Sequence, residues 1–589
     1  MLKIFKYLKI KEWQMILSSV VLMSVQVWLD LKIPEYMSEI TRLLQTPGTK
    51  VSDVWDIGAY MVAFAFLSLI SAIFVGFFAS RVAASFSKDL RSAIFKKVGS
   101  FSMEEINQFS TASLITRSTN DIVQVQMVIA MGLHVIIRAP IMATLAILKI
   151  LGKSWQWTLT TAVAVLFLMV LIFVIFVFVM PRFKKIQEYT DNLNNITREN
   201  LTGLRVVRAY NAEDFQEKKF LKASKDLAGT YLFVTRIMSV IGPGMSLMMG
   251  GINLAIYWTG AHIINGAGVA DRVNLFSDMV VFSSYAMQIV MSFMMLTMIF
   301  IIAPRAAVSA RRINEVLDKE PTITDGRLSI PPNGIKGEVE FKNVSFKYPD
   351  AAEYVLKDIS FKANRGETVA FIGSTGSGKS TLVNLIPRFY DATNGEVLLD
   401  GINVKDYKLE DLHNKLGVVT QKAVLFSGSV SSNITYGDSG SKTGDLQENV
   451  KKAARIAQAT QFVEEMEDKY DSAIAQGGTN VSGGQKQRIS IARAVYRDPE
   501  IYIFDDSFSA LDYKTDHALR TALKKEAADK TNLIVAQRIG TIKNADKIIV
   551  LEQGEAVGIG THAQLLKTCE VYREIAYSQL SKEELDDEQ

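Results

Sequence analysis

The sequence predicts a membrane α-helical bundle followed by an α/β domain built around a phosphate-binding loop. Three observations lead there. Residues 1 to about 310 hold several apolar stretches near the ~20 residues needed to cross a bilayer. The remainder reads as a soluble α/β domain. Within it, TVAFIGSTGSGKSTLVNLI carries the pattern G-x-x-x-x-G-K-S after an apolar strand and before a helical pattern. The split explains a composition of 49% hydrophobic and 21% charged residues over 589 positions, an unusual balance for a soluble enzyme. The net charge of +4 is too small to argue for a nucleic-acid partner, and a single cysteine, Cys569, excludes an intrachain disulfide framework.

In the first half, six spans are expected at 14–34, 57–80, 127–151, 157–180, 237–262 and 278–303. Helices satisfy their own backbone groups, so runs this long cross lipid as helices. The opening MLKIFKYLKIKEW interleaves lysines with apolar residues and reads as an interfacial helix. Segments 81–126 and 181–236 are long and basic, which places them and both termini in the cytoplasm. Leu90, Ile94, Phe95 and Val98 keep helical spacing there, so the helices are expected to continue beyond the membrane. His134 and Arg138 share a face of the third span, near the inner interface where arginine can snorkel. The last two spans are methionine-rich, from Met238, Met245, Met248 and Met249 to Met279, Met287, Met291, Met294, Met295 and Met298. Methionine suits both ordinary packing and adaptable apolar binding surfaces. Pro243 is expected to bend the fifth span.

In the second half, residues 322–334 are rich in Pro, Gly and turn formers and read as a linker. The domain boundaries follow: a transmembrane domain over 1–315, a linker over 316–336, a nucleotide-binding domain over 337–578 and an acidic tail over 579–589. The phosphate loop comprises Gly373, Ser374, Thr375, Gly376, Ser377, Gly378, Lys379, Ser380 and Thr381. Its glycines let backbone N–H groups approach phosphate oxygens, with the following helix N-terminus adding partial positive charge. Lys379 reaches the terminal phosphates and the Ser380 hydroxyl is placed for Mg²⁺.

A second motif narrows the class. VSGGQKQRISIARA, residues 481–494, resembles the ABC transporter signature and lies shortly before the apolar strand IYIFD. With six spans and one nucleotide domain, essentially the whole chain resembles an ABC exporter half-transporter of the type IV fold. That resemblance implies ATP and Mg²⁺ as ligands. It implies that Tyr348 stacks on adenine, that Gln421 senses Mg²⁺ and the attacking water, and that Asp505 holds Mg²⁺ together with Ser380. It implies that Ser482, Gly483, Gly484 and Gln485 act on a nucleotide held by a partner chain, so that a dimer is needed to build a site. It also implies two short coupling helices, over 109–114 and 210–215.

Three positions depart from the family pattern. Asp506 stands where glutamate polarises the attacking water, Gln537 where histidine contacts the γ-phosphate, and Gln476 where a glutamate precedes the signature. A carboxylate withdrawn by one methylene, together with the loss near the γ-phosphate of a group able to carry positive charge, is expected to weaken hydrolysis while leaving every binding element in place. The combination resembles the degenerate-site subunit of heterodimeric bacterial multidrug exporters. The expected partners are a second, non-identical half-transporter, the lipid bilayer and hydrophobic small molecules. A lipid flippase and an ATP-gated channel or transport regulator are the alternatives this architecture allows.

Overall fold

The computed structural model describes residues 2–46, 48–151, 154–328, 336–349, 351–438 and 445–579. The chain divides into two compact units, one of residues 1–99 and 112–319, the other of residues 100–111 and 320–589.

The first unit is helical: α1 (Ile10–Gln45), α2 (Val51–Gly99), α4 (Thr111–Ser118), α5 (Asn120–Leu151), α6 (Trp155–Thr202), α7 (Leu204–Ala209), α8 (Glu213–Ser239), α9 (Ile241–Gly266) and α10 (Val269–Asp318), with α3 (Met103–Phe109) assigned to the second unit. Among the described residues six helical stretches are long and apolar enough to cross a membrane. α2 has 49 residues, about 74 Å at 1.5 Å per residue, more than twice the ~30 Å hydrocarbon thickness. Phe66, Leu69, Ile73 and Phe77 of α2 recur every three or four residues and are exposed, while Ser71, Val75, Ala79 and Val82 are buried on another face. Such an apolar outer stripe is what lipid contact requires. The inner core gathers Trp157, Phe282, Tyr285, Met245, Met248 and Met279, so these methionines pack as core; the Met298 side chain lies outside the described residues.

Local structure departs from expectation at several points. The opening segment is a short 3₁₀ helix, Leu2–Tyr7, set off from α1: Ile4 is buried and Lys3 Nζ lies 3.1 Å from Asp318. The fifth span breaks at Val240, and Pro243 falls in the first turn of α9. A proline is tolerated there because its missing N–H has no intrahelical acceptor to lose. The segments 109–114 and 210–215 are not continuous helices. Each straddles a break, where Ser110 (φ 57°) and Asn211 (φ 47°) take positive φ that a helix cannot accommodate. Arg138 has a partner within the helical unit. Its Nη2 donates to Asp30 Oδ2 at 3.0 Å, and Ser68 Oγ donates to the other oxygen of Asp30. A carboxylate with two partners is the affordable way to hold a charge among apolar helices.

The second unit contains a four-stranded antiparallel sheet and a six-stranded sheet. In the first, β1 (Val339–Phe346) lies between β2 (Leu356–Ala363) and β4 (Asn394–Leu399), with β5 (Ile402–Asn403) at the edge. The second runs in the order β12 (Glu555–Gly560), β11 (Lys547–Glu552), β3 (Thr368–Gly373), β10 (Thr531–Val535), β9 (Ile501–Asp505) and β6 (Leu416–Val419). A two-residue pair, β7 (Gly428–Ser429) and β8 (Ala473–Ile474), lies apart. The helices are α11 (Lys379–Asn384), α12 (Leu409–Asn414), α13 (Val430–Thr435), α14 (Leu446–Ile456), α15 (Thr460–Glu464), α16 (Gly483–Arg497), α17 (Tyr513–Glu526), α18 (Ile539–Ile542), α19 (His562–Thr568) and α20 (Glu570–Gln579). β9 is buried at every position, as a central parallel strand covered on both faces must be.

Part of the segment read as a linker is docked on this unit. Thr322 N–H donates to Glu105 Oε1 at 3.0 Å, and the N–H groups of Gly326, Arg327 and Leu328 donate to the carbonyls of Tyr407 and Asp406. Residues 329–335 and the tail over 580–589 lie outside the described residues. α3 joins the same unit: Glu105 is buried and accepts from Ser102 N, Ser102 Oγ and Thr322 N.

Candidate active site

Four neighbouring strands deliver the site. β3, β10, β9 and β6 are parallel, and their register sets Phe371 beside Val535, Val535 beside Asp505, and Phe504 beside Val419. Their carboxyl ends therefore open along one edge of the sheet, the place where ligands bind in open α/β folds. From that edge emerge the phosphate loop, Gln537, Asp506 and Gln421.

The phosphate loop fits a phosphate chain. Gly376 (φ 85°) has open space where a side chain would start, whereas at Gly378 (φ 97°) a Cβ would be strained by the left-handed backbone and would crowd Leu356 Cδ2 (2.8 Å) and Val355 O (3.0 Å). Lys379 curls over the loop, its Nζ donating to the carbonyls of Gly373 (2.8 Å) and Ser374 (2.7 Å) and to Ser377 Oγ (3.3 Å). Burial pulls the Lys379 ammonium below the usual lysine range, against the opposing pull of Asp506 and Asp505. A desolvated cation bonded only to neutral oxygens gains strongly from an incoming anion.

Ser380 Oγ donates to Asp505 Oδ1 at 2.8 Å. Burial pushes the Asp505 carboxyl up; the Ser380 bond lowers it and the neighbouring Asp506 charge raises it further. A hydroxyl and a carboxylate so placed are the hard oxygen donors that suit Mg²⁺. Among the described residues no three His, Cys, Asp or Glu form a metal cluster. Gln421 is not joined to this pair. It turns its amide to Asp506, Nε2 to Oδ2 at 3.3 Å.

Asp506 is the centre of the second constellation. Its φ of 47° is left-handed, a conformation aspartate tolerates better than most residues. The backbone is fixed there: Asp506 N–H donates to Val535 O at 3.0 Å, and Ser509 Oγ donates to Asp506 O at 3.0 Å. Gln537 Nε2 donates to Asp506 Oδ2 at 2.7 Å, on the same oxygen that Gln421 reaches. The structure thus joins the two unusual positions directly, and both amides engage one oxygen of a short carboxylate.

Tyr348 lies edge-on to Phe346 and Tyr390, with ring centroids 5.0 and 5.3 Å away, and its hydroxyl is 3.0 Å from Thr381 Oγ1. Tyr390 in turn accepts from Asn107 Nδ2 of α3 at 3.1 Å. Sequence reading misses Tyr390 and Asn107, which are 283 residues apart and carry no shared motif.

The signature residues form a separate surface. Ser482 caps α16, its Oγ accepting from Gln485 N–H (3.3 Å) while Gln485 Oε1 accepts from Ser482 N–H (2.9 Å). This reciprocal box satisfies two terminal groups and leaves Gly483 with open space at its Cα. No hydrogen bond joins these residues to the phosphate loop among the described residues. Gln476 is exposed in a 3₁₀ turn, Gln476–Gly478.

Comparison with known proteins fits both units. Residues 15–321 match the ABC transporter transmembrane region family, and residues 356–509 match the ABC transporter family. The uncharacterized ABC transporter ATP-binding protein Rv1273c of Mycobacterium tuberculosis is 39% identical over 92% of this chain and 93% of its own length. YfiB of Bacillus subtilis, likewise uncharacterized, is 36% identical over 90% of each. An ATP-dependent lipid A-core flippase of Pseudomonas aeruginosa is 32% identical over 83% of this chain and 79% of its own. A bacterial Atm1-family ABC exporter solved with ATP bound shares the fold with a TM-score of 0.79, at 22% identity over 97% of this chain and 98% of that one. With an apolar six-helix unit and an ATPase unit carrying phosphate loop and signature on one polypeptide, the chain belongs to the ABC transporter family as a half-transporter of the exporter fold.

Proposed function

We propose that the chain is one half of a heterodimeric, ATP-driven exporter of hydrophobic or amphipathic compounds in a bacterial cell membrane. Its own phosphate loop holds ATP with slow turnover, and its signature completes a competent site on a non-identical partner. Both termini and the nucleotide unit face the cytoplasm, in keeping with the basic long segments. The observation that carries the reading is Asp506. Its carboxylate is one methylene shorter than the family's base, and its Oδ2 is occupied by the amides of Gln537 and Gln421. A base must offer a lone pair to water at hydrogen-bond distance, and a 1 Å displacement costs roughly 100-fold.

Binding is unimpaired by the same reasoning. Lys379 meets the terminal phosphates, and Tyr348 offers its ring to adenine. Ser380 and Asp505 would hold Mg²⁺, which when bound neutralises phosphate charge. A lipid is itself an amphipathic cargo, and the similarity to lipid A-core flippases supports a flippase as the second reading.

The test is ATP hydrolysis by the purified chain, alone and with its partner. The chain alone turns over slowly, and the double variant Asp506→Glu, Gln537→His raises its rate by at least about 10-fold. Rapid multi-turnover hydrolysis by the homodimer, abolished by Asp506→Asn, overturns the reading.

A further inference from the structure

We propose that Gln579, on the last turn of α20, is a positioning residue that sets the backbone from which Gln537 reaches Asp506. The amide of Gln579 brackets the turn on both sides. Its Nε2 donates to the Gln537 carbonyl at 2.8 Å, and its Oε1 accepts from the Ile539 N–H at 2.8 Å. One side chain therefore fixes the peptide groups on either side of Arg538.

The turn needs such help. Arg538 caps α18 with extended φ and ψ of −110° and 129° but makes no side-chain cap. Arginine carries only donors, so it cannot accept from a helix N-terminus. Gln579 supplies the missing acceptor from 40 residues away. The peg it stands on is firm: Tyr572 and Ala576 of α20 are fully buried in one cluster with Ala536, Ile539 and Ile542. Gln579 itself is exposed, so packing does not demand glutamine at this position. The chain of contacts is short. Gln579 holds the Gln537 backbone, and Gln537 Nε2 donates to Asp506 Oδ2 at 2.7 Å.

The inference rests on the reading that Gln537 faces the nucleotide held by this chain's own loop. The experiment uses the full-length transporter with its partner and follows release of a fluorescent ATP analogue retained with Mg²⁺. Gln579→Ala speeds release about 5-fold, the yield of one net hydrogen bond. Gln579→Glu, which keeps the acceptor for Ile539 but faces the Gln537 carbonyl with a second acceptor, does the same. In a Gln537→Ala background Gln579→Ala adds nothing further, which a merely structural role does not predict. An equal effect of Gln579→Ala with and without Gln537, or no effect of either Gln579 variant, overturns the proposal. Fast turnover at the wild-type site defeats the slow-site reading instead; the non-additivity is then read in that faster rate and still decides the role of Gln579.

Discussion

The phosphate loop and the signature helix are both built to meet phosphate, yet they are left in opposite conditions by the fold. The signature is self-sufficient: Ser482 and Gln485 satisfy each other, and the helix end is complete without a ligand. The phosphate-loop side is not. Lys379 is buried against neutral oxygens, Asp505 is held above the usual carboxylate range by burial, and Asp506 sits at positive φ. One surface is finished and the other waits for charges of both signs. The difference teaches that the loop's readiness for a ligand is separable from the state of the signature: one can be altered without disturbing the other.

The largest effect that tests the comparison is Lys379→Ala. Loss of charge-assisted bonds to the terminal phosphates weakens ATP binding to this chain by about 100-fold, measured by titration with a fluorescent ATP analogue. Retention of affinity would mean that the buried ammonium is structural. Next comes Gly483→Asp. The position has room for a side chain, and a carboxylate near a helix N-terminus does not harm the helix. It repels phosphate, so turnover by the assembled transporter falls roughly 100-fold while affinity at this chain's own loop is unchanged. A parallel fall in that affinity would show that both surfaces serve one nucleotide.

The smallest effect is a pair of opposite signs. Asp505→Asn raises the melting temperature of the nucleotide-free chain by roughly a few degrees at neutral pH, whereas Ser482→Ala lowers it by a similar amount through loss of a cap. The pH dependence follows from the raised Asp505 carboxyl. Below the unfolded aspartate value of about 4 the group is protonated in both states and costs nothing. The cost appears as pH rises through its higher folded value. The gain from Asp505→Asn is therefore full at neutral pH and shrinks toward acid, as differential scanning fluorimetry across pH would record. A loss of stability in Asp505→Asn would place Asp505 on the satisfied side of the comparison.

What the sequence made legible follows from range. The spans, the phosphate loop and the signature are local patterns of periodicity and spacing, and six apolar helical stretches cover the expected spans, the fifth with a break at Val240. Helix breaks at Ser110 and Asn211 were hidden because they depend on positive φ at residues that also occur inside helices. The docking of 322–328 was hidden because turn-rich composition reports local chain geometry, not the carbonyls of Tyr407 and Asp406 waiting to accept it. Arg138 read as a snorkelling residue because its partner Asp30 lies on another helix. Gln579 had no motif at all, and only the folded chain brings it to Gln537.

The Asp30–Arg138 pair has a consequence for biogenesis. A lone charge in a membrane-crossing helix costs up to about 2.5–3.5 kcal/mol, the full figure applying at the bilayer centre. Asp30 of α1 gains a hydroxyl partner, Ser68, with α2, while its matching cation is synthesised 108 residues after it. The ion pair is therefore complete only once α5 has been made, and truncations that end before Arg138 should leave Asp30 with the Ser68 bond alone.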